Sequence, residues 1–462
     1  MNAWLPTISF HSLVIVVSVL IYVLTTRAQR ERRPPSIAIA WVLGLIALPY
    51  VVLPMYLMFG RRKLPRRIVQ HRALQNTADI WAQELIESFG LAGASPALVR
   101  MHQDGGDSET ALLSIMAGAV SHLDICTFIL GDDALGRKVM HLMIERARSG
   151  VTVRLLLDGV GALQLPRECL ESLRSGGVET GIFSPLFARK TQGPRNLRNH
   201  RKMVIADGTR LWAGGRNFAA EYFSGAPGVP AWRDLTFDLQ GSVAAAAAVQ
   251  FESDWVAAGG TPASRVPAHA VPAHVVPAHA VPADADPAQF LPSGPDQAED
   301  TVHALLIDAC FQARERILAA TPYFVPDVSL ETAMRLAARR GVRIDVCLPN
   351  SSNHRLADFA RNRALRNLSQ AGVNFHLLPY MSHAKGVVID HSLAFSGSVN
   401  LDSRSLLLNY ECAVVFYGRA EIDWLARWID ALIVDAAPFH GRPPGLLRDL
   451  CEGLLLTVAY QL

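Results

Sequence analysis

Nineteen residues starting at Asn199, NHRKMVIADGTRLWAGGRN, return in altered form at Ser382 as SHAKGVVIDHSLAFSGSVN. Each copy carries His-x-Lys, an Asp seven residues after the His, and an Asn ten residues further on. The first copy supplies His200, Lys202, Asp207 and Asn217; the second supplies His383, Lys385, Asp390 and Asn400. Histidine titrates near neutral pH and can act as nucleophile or general acid. Lys and Asn can donate to the non-bridging oxygens of a phosphoryl group and stabilise charge in its transition state. Two imidazoles and two ammonium groups brought together by internal symmetry suit displacement at a phosphodiester, one His attacking while the other protonates the leaving oxygen. A single His-x-Lys is common on surface strands, but two with matching offsets are not accidental.

Positioning these groups calls for strands. Side chains at i and i+2 of a strand share a face roughly 7 Å apart, so each His projects together with its Lys. The apolar runs Met203 to Ile205 and Val387 to Ile389 support that assignment. Asp207-Gly208 reads as a tight turn into the next strand, and Asp390 occupies the corresponding corner. Turn formation competes with chemistry at both Asp, which are kept among the catalytic candidates.

The halves around the motifs repeat one another as well. The first has LDICTFIL from Leu123, a helical stretch to Ser149, then GVTVRLLLD from Gly150. The second has ILAATPYFV from Ile317, a helix through Arg340, then GVRIDVCLP from Gly341. Strand, helix, strand implies a right-handed parallel crossover in each half. Two α/β sheets facing each other across a pseudo-two-fold axis would set both motifs in one central cleft, with each motif strand followed by a neighbour ending at its Asn.

Half of the 462 residues are apolar and 18% are charged, which is greasy for a soluble enzyme. The excess lies at the front, in Ile8 to Thr25 and Ile37 to Phe59, each near the roughly 20 residues a membrane-spanning helix needs. A cleavable signal is disfavoured, because the first run lacks a basic leader and a small-residue cleavage site. Pro49 and Pro54 leave room for a kinked or re-entrant second segment. Arg27, Arg30, Arg32 and Arg33 lie between the runs; Arg61, Arg62, Lys63, Arg66 and Arg67 follow them. The larger second cluster favours a cytoplasmic body. A net charge of +3 does not advertise a nucleic-acid binder. Six scattered cysteines without a Cys-x-x-Cys pair indicate neither a disulfide framework nor a zinc site. Cys126, Cys347 and Cys412 read as buried thiols. Tandem VPAHA-type units from Val266 cannot build a core and read as an extended spacer. His269, His274 and His279 within it lack the fixed geometry a metal needs. The expected order is a membrane hairpin with basic tail (1–67), a first half (68–258), a linker (259–295), a second half (296–440) and a C-terminal amphipathic helix (441–462).

The paired motifs resemble those of the phospholipase D superfamily, and the layout is similar to bacterial cardiolipin synthases. The strings AWVLGLIALP, YLMFGRRK, NHRKMVIADG, GGRN before EYF, WRDLTFDLQG, TPYFVPD and GSVNLDSRSLLLNYE carry the narrower likeness. That resemblance implies two pseudo-symmetric phospholipase D-like α/β halves behind a transmembrane helical hairpin in a bacterial plasma membrane. It implies phosphatidyl transfer from one phosphatidylglycerol to another, giving cardiolipin and glycerol through a phosphatidyl-histidine. It casts His200 as nucleophile and His383 as general acid/base, with Lys202, Lys385, Asn217 and Asn400 binding phosphate. Gly215 and Ser398 would allow close approach, while Glu411 and its counterpart Asp234 would support an imidazole. No nucleotide, metal or other cofactor is expected, because one phosphodiester is exchanged for another and no Asp-rich metal motif appears. Hydrolysis, transfer using another phospholipid, and a non-catalytic membrane scaffold are the alternatives. Ala220, where the family often has an acidic residue, and the Pro/His repeat depart from the pattern.

Overall fold

A computed structural model describes residues 5–29, 35–60, 80–185, 196–225, 228–262 and 281–441, with 443–445, 447, 448 and 452 beyond. The basic cluster at 61–67, the repeat histidines and most of the expected C-terminal helix lie outside the described residues.

At the front, α1 (Leu5–Gln29), α2 (Pro35–Ala47) and α3 (Pro49–Phe59) pack on one another around Tyr22, Leu45 and Tyr56. The Thr25 and Tyr56 hydroxyls lie 2.6 Å apart. Leu48 leaves the helical conformation (φ −139°, ψ 58°) ahead of Pro49, which opens α3 at its first turn, since a residue before proline is kept out of the helical region. This break divides the second apolar run into helices of 13 and 11 residues, each short of a bilayer's thickness. On α1 the described side chains run only from Phe10 to Thr26. Among the described residues no helix is long and apolar enough to cross a membrane. The expected transmembrane hairpin is therefore not confirmed; what stands is a packed helical unit.

The body follows with α4 (Trp81–Ser88), β1 (Ser95–Met101), α5 (Gly105–Ala117), β2 (His122–Thr127), α6 (Ala134–Arg148), β3 (Thr152–Asp158), α7 (Arg167–Ser175) and β4 (Glu179–Phe183). The first half ends with β5 (Met203–Ala206), β6 (Arg210–Gly214), β7 (Thr236–Gly241) and α8 (Ser242–Ala257). The second half opens with β8 (Pro287–Ser293), α9 (Thr301–Gln312), β9 (Arg316–Ala320), β10 (Phe324–Val325), α10 (Val328–Arg339), β11 (Arg343–Pro349), α11 (Arg355–Ser369) and β12 (Asn374–Leu378). It closes with β13 (Gly386–Ile389), β14 (Leu393–Gly397), β15 (Leu401–Asp402), α12 (Ser403–Leu407), β16 (Glu411–Phe416), α13 (Arg419–Asp435) and β17 (Ala437–Pro438).

The parallel β2–α6–β3 and β9–α10–β11 units are built alike. Asp133 and Asp327 cap α6 and α10 through their side chains. Gly150 and Gly341, at φ of 93° and 95°, turn each helix out into its next strand, a left-handed position only glycine takes without strain.

From the centre outward the first half runs β1-β7-β6-β5-β2-β3-β4 and the second β8-β16-β14-β13-β9-β11-β12, with β17 at the far edge. The halves join through a short antiparallel ladder, Ser95 with Ala288 and Pro96 with Pro287. Hydrogen bonding thus makes one 15-stranded sheet, where the sequence suggested two separate facing sheets. Burial along β5, β13, β14 and β16 is complete, as expected where helices cover both faces.

Two boundaries also move. Strand β8 falls inside the stretch assigned to the linker, because its apolar residues pair with β16 over six positions. Helix α4 falls inside the stretch assigned to the first half, yet Trp81, Ala82 and Ile86 pack in the core of the second. Cys126, Cys347 and Cys412 are buried and free.

Candidate active site

Strands β5 and β13 begin only at Met203 and Gly386, so both His-x-Lys pairs lie on the segments leading into the strands rather than on them. Likewise β6 and β14 stop at Gly214 and Gly397, ahead of Asn217 and Asn400. Each lead-in is held by the other half. The His200 N–H donates to the Tyr410 carbonyl at 2.8 Å, and the Tyr410 N–H to the Arg198 carbonyl at 2.9 Å. In reciprocal fashion the His383 N–H donates to the Arg233 carbonyl at 2.6 Å, and the Arg233 N–H to the Met381 carbonyl at 3.0 Å. Tyr410 and Arg233 immediately precede Glu411 and Asp234, so the backbone delivers each carboxylate to the opposite half's imidazole. His200 Nδ1 lies 3.0 and 3.2 Å from the two Glu411 oxygens. His383 Nδ1 lies 2.9 Å from Asp234 Oδ2. Both carboxylate side chains are fully buried.

The two carboxylates are supported differently. Glu411 accepts from the Ser398 and Ser405 hydroxyls, each at 2.5 Å, and from Asn409 Nδ2 at 3.3 Å. Beside Asp234, a Cβ on Gly215 would sit 2.1 Å from Oδ1. Gly215 therefore makes room for the carboxylate, and Ser398 holds one in place; neither role is the approach to phosphate that the resemblance implied.

Lys202 Nζ donates to the His200 carbonyl at 2.8 Å. Lys385 Nζ lies 2.8 and 3.0 Å from the two ring nitrogens of His383. Burial pushes the Lys202 amine down to about 8 and the Lys385 amine to about 7, against the pull of the nearby carboxylates. Burial, followed by the Lys385 charge, drives His383 down to about 3. His200 shifts downward too, with burial leading and Glu411 opposing. Burial favours protonation of Asp234 and Glu411, but the imidazole and ammonium groups outweigh it and hold both carboxyls below their usual range. The resting site thus pairs ionised carboxylates with neutral imidazoles. Lys385 influences His200, and Lys202 influences His383, so the two halves form one electrostatic unit. Aromatic rings flank it: Phe128 meets His200 edge-on at 5.1 Å, while Tyr222 and Trp232 stand 5.1 and 6.0 Å from His383.

Asn217 Oδ1 accepts from the Ile129 N–H at 3.3 Å and so braces the loop after β2. Asn400 Oδ1 is buried without a partner among the described residues. Asp207 and Asp390 do not join the site. Both sit at positive φ, 54° and 47°, beyond the far ends of β5 and β13. Asp207 accepts from the Val120, Ser121 and His122 N–H groups; Asp390 does the same for Arg314, Glu315 and Arg316. Their recurrence reflects a shared structural anchor for β2 and β9. Among the residues overlooked in the sequence are Ser405 and Asn409, although both lie in the GSVNLDSRSLLLNYE string, and the aromatics Phe128, Tyr222 and Trp232. Among the described residues no group of three or more His, Cys, Asp or Glu side chains is placed to hold a metal ion.

A duplicated α/β fold whose two His-x-Lys segments are clasped by carboxylates from opposite halves defines a phosphodiester enzyme of the phospholipase D type. The family model described as cardiolipin synthase, phospholipase D-like domain, matches residues 112–255 and 306–433. A second, phospholipase D-nuclease N-terminal, matches residues 14–61. The chain belongs to the phospholipase D-like cardiolipin synthase family, and with it to the phosphatidyltransferases. It is similar to cardiolipin synthase A of Pseudomonas aeruginosa, at 32% identity over 87% of this chain and 85% of that protein. Cardiolipin synthase 1 of Bacillus cereus is 30% identical over 84% of this chain and 81% of its own length. The crystal structure of phosphatidylserine synthase from Haemophilus influenzae matches with a TM-score of 0.61 at 12% identity, covering 82% of this chain and 100% of that one. At that identity it speaks to the fold alone.

Proposed function

We propose that this enzyme condenses two phosphatidylglycerol molecules into cardiolipin and glycerol through a covalent phosphatidyl-His200. The observation that carries the mechanism is the reciprocal clasp, Glu411 on His200 and Asp234 on His383. A carboxylate on Nδ1 keeps the proton there and leaves Nε2 as the reacting nitrogen. His200 Nε2 attacks phosphorus and the bond to the glycerol oxygen breaks, while the Lys385 ammonium, 3.0 Å from His383 Nε2, passes a proton through that nitrogen to the departing oxygen. In the second step a hydroxyl of another phosphatidylglycerol gives its proton to His383 as its oxygen attacks phosphorus, and the N–P bond breaks. The assignment of roles is supported by Lys385, whose amine touches both ring nitrogens of His383 and can replenish its proton. Lys202 and Lys385 balance the anionic phosphoryl oxygens, with Asn217 and Asn400 as further donors to them.

The aromatic lining of the imidazoles favours transfer over hydrolysis by limiting water. The N-terminal helices serve as a membrane anchor in a bacterial plasma membrane, with the body on the cytoplasmic side. Exposed Phe10, Leu13 and Val16 on α1, and Leu43, Val51 and Leu57 on α2 and α3, support that reading. Anchoring beside the lipid raises the effective concentration of both substrates. The test is purified enzyme in vesicles whose sole reactive lipid is phosphatidylglycerol. Cardiolipin and free glycerol should form in equal amounts; phosphatidic acid as the main product would turn the reading into hydrolysis.

A further inference from the structure

Between the His and the Lys of the first motif stands Arg201, where the second motif has Ala384. Its side chain is wholly buried and does not join its neighbours in the catalytic cluster. Nε donates to the Glu411 carbonyl at 2.9 Å. Nη1 donates to Asp254 on α8 at 2.5 Å. Nη2 donates to the Ser293 carbonyl at the end of β8 and to both Asp296 oxygens, all at 3.1 Å. The guanidinium also lies 5.3 Å from the centre of the Tyr410 ring.

The acceptors are themselves fixed. Asp254 also receives Asn199 Nδ2 at 3.0 Å and Gln250 Nε2 at 2.9 Å. Asp296 receives Gln250 Nε2 at 2.9 Å and Gln297 Nε2 at 2.8 Å. One planar fork thus ties the residue after His200 to α8 of its own half, to the start of the second half, and to the carbonyl of the residue whose carboxylate grips His200. A lysine could supply the charge but not this divergent set of donors. At the equivalent point Ala384 is packed among apolar side chains, so His383 has no such brace.

We propose that Arg201 is a positioning residue that holds His200 and Glu411 in register across the junction of the halves and thereby sets the reactivity of that imidazole. The proposal rests on the reading of His200 as the attacking base. Full-length enzyme in phosphatidylglycerol vesicles tests it through Arg201→Lys and through Arg201→Met combined with Asp254→Asn and Asp296→Asn, which removes the buried carboxylates along with their counter-ion. Rates are expressed per folded molecule, and thermal unfolding is followed in parallel. A misplacement of about 1 Å costs roughly 100-fold in rate, so kcat should fall about 10- to 100-fold with KM little changed. The acidic limb of the pH profile should move to lower pH, because Glu411 no longer raises the basicity of His200.

Wild-type kinetics in folded variants would overturn the proposal. So would a loss of activity that tracks folded fraction with an unchanged pH profile, or failure of both variants to fold, since each makes the network purely structural. Failure of the cardiolipin reading shows instead in the wild-type enzyme, as a product other than cardiolipin.

Discussion

Replacing Glu411 by Gln removes one charge from a fully enclosed point at nearly constant volume. The carboxylate accepts one imidazole N–H, two hydroxyls and one amide. An amide oxygen can keep some of these contacts, but its NH2 must then face the imidazole or a hydroxyl. Facing Nδ1, it forces that nitrogen to accept and moves the ring proton to Nε2, where it blocks attack on phosphorus. Loss of a charge-assisted hydrogen bond alone is worth about 1.5–3 kcal/mol, roughly 10- to 150-fold in rate. The tautomer trap adds to this, and the analogous Asp→Asn change beside a catalytic His in the serine proteases lowers kcat about 10⁴-fold. Glu411→Gln should therefore lower kcat by about 10²- to 10⁴-fold with a much smaller change in KM. The assay is release of glycerol from phosphatidylglycerol vesicles, with single turnovers quenched to follow the phosphatidyl-enzyme. Stability supplies a second readout. The Glu411 carboxyl is held below its usual range in the fold, so the charge contributes stability above about pH 4.5 that is lost as pH falls through the lowered value. The stability gap between wild type and variant should accordingly narrow in acid. A Glu411→Gln enzyme with wild-type kcat would refute the claim that this carboxylate orients and charges the nucleophile.

His200→Ala and His383→Ala should each abolish turnover; cardiolipin formed by a pure His200→Ala sample would remove it from the mechanism. Asp207→Ala takes the acceptor from three strand-opening N–H groups, which should cost about 1–3 kcal/mol of stability and leave kcat per folded molecule near wild type. A large fall in kcat with unchanged melting would restore Asp207 to the chemistry. With Lys385 near 7, its ammonium discharges as pH rises through that value, so tungstate binding measured by calorimetry should weaken several-fold between about pH 6.5 and 8.5. An affinity flat across that window would contradict a charge-based grip on phosphate.

The reactive groups were legible in the chain because their spacing is local. His-x-Lys, followed at fixed intervals by Asp and Asn, survives duplication as a string, and so do the strand–helix–strand units that flank it. Spacing could not tell which recurring residues meet. Asp207 keeps its offset from His200 because a turn at positive φ must hold a strand start, and a repeated structural anchor looks the same in a sequence as a repeated catalytic acid. Nor could it reveal that β8 lay within an apparent linker, since its apolar run becomes a strand only against β16.

What the sequence determined by itself is the inventory of the site: two imidazoles, two amines, two carboxylates, and a family pattern specific enough to name the reaction. Only the tertiary structure decided the pairing. Glu411 reaches His200 across 211 residues and Asp234 reaches His383 across 149, each into the opposite half. The physical reason is that a carboxylate's partner is chosen by backbone bridges between distant segments, Asn199 with Tyr410 and Arg233 with Ser382, and those form only once both halves have folded against each other.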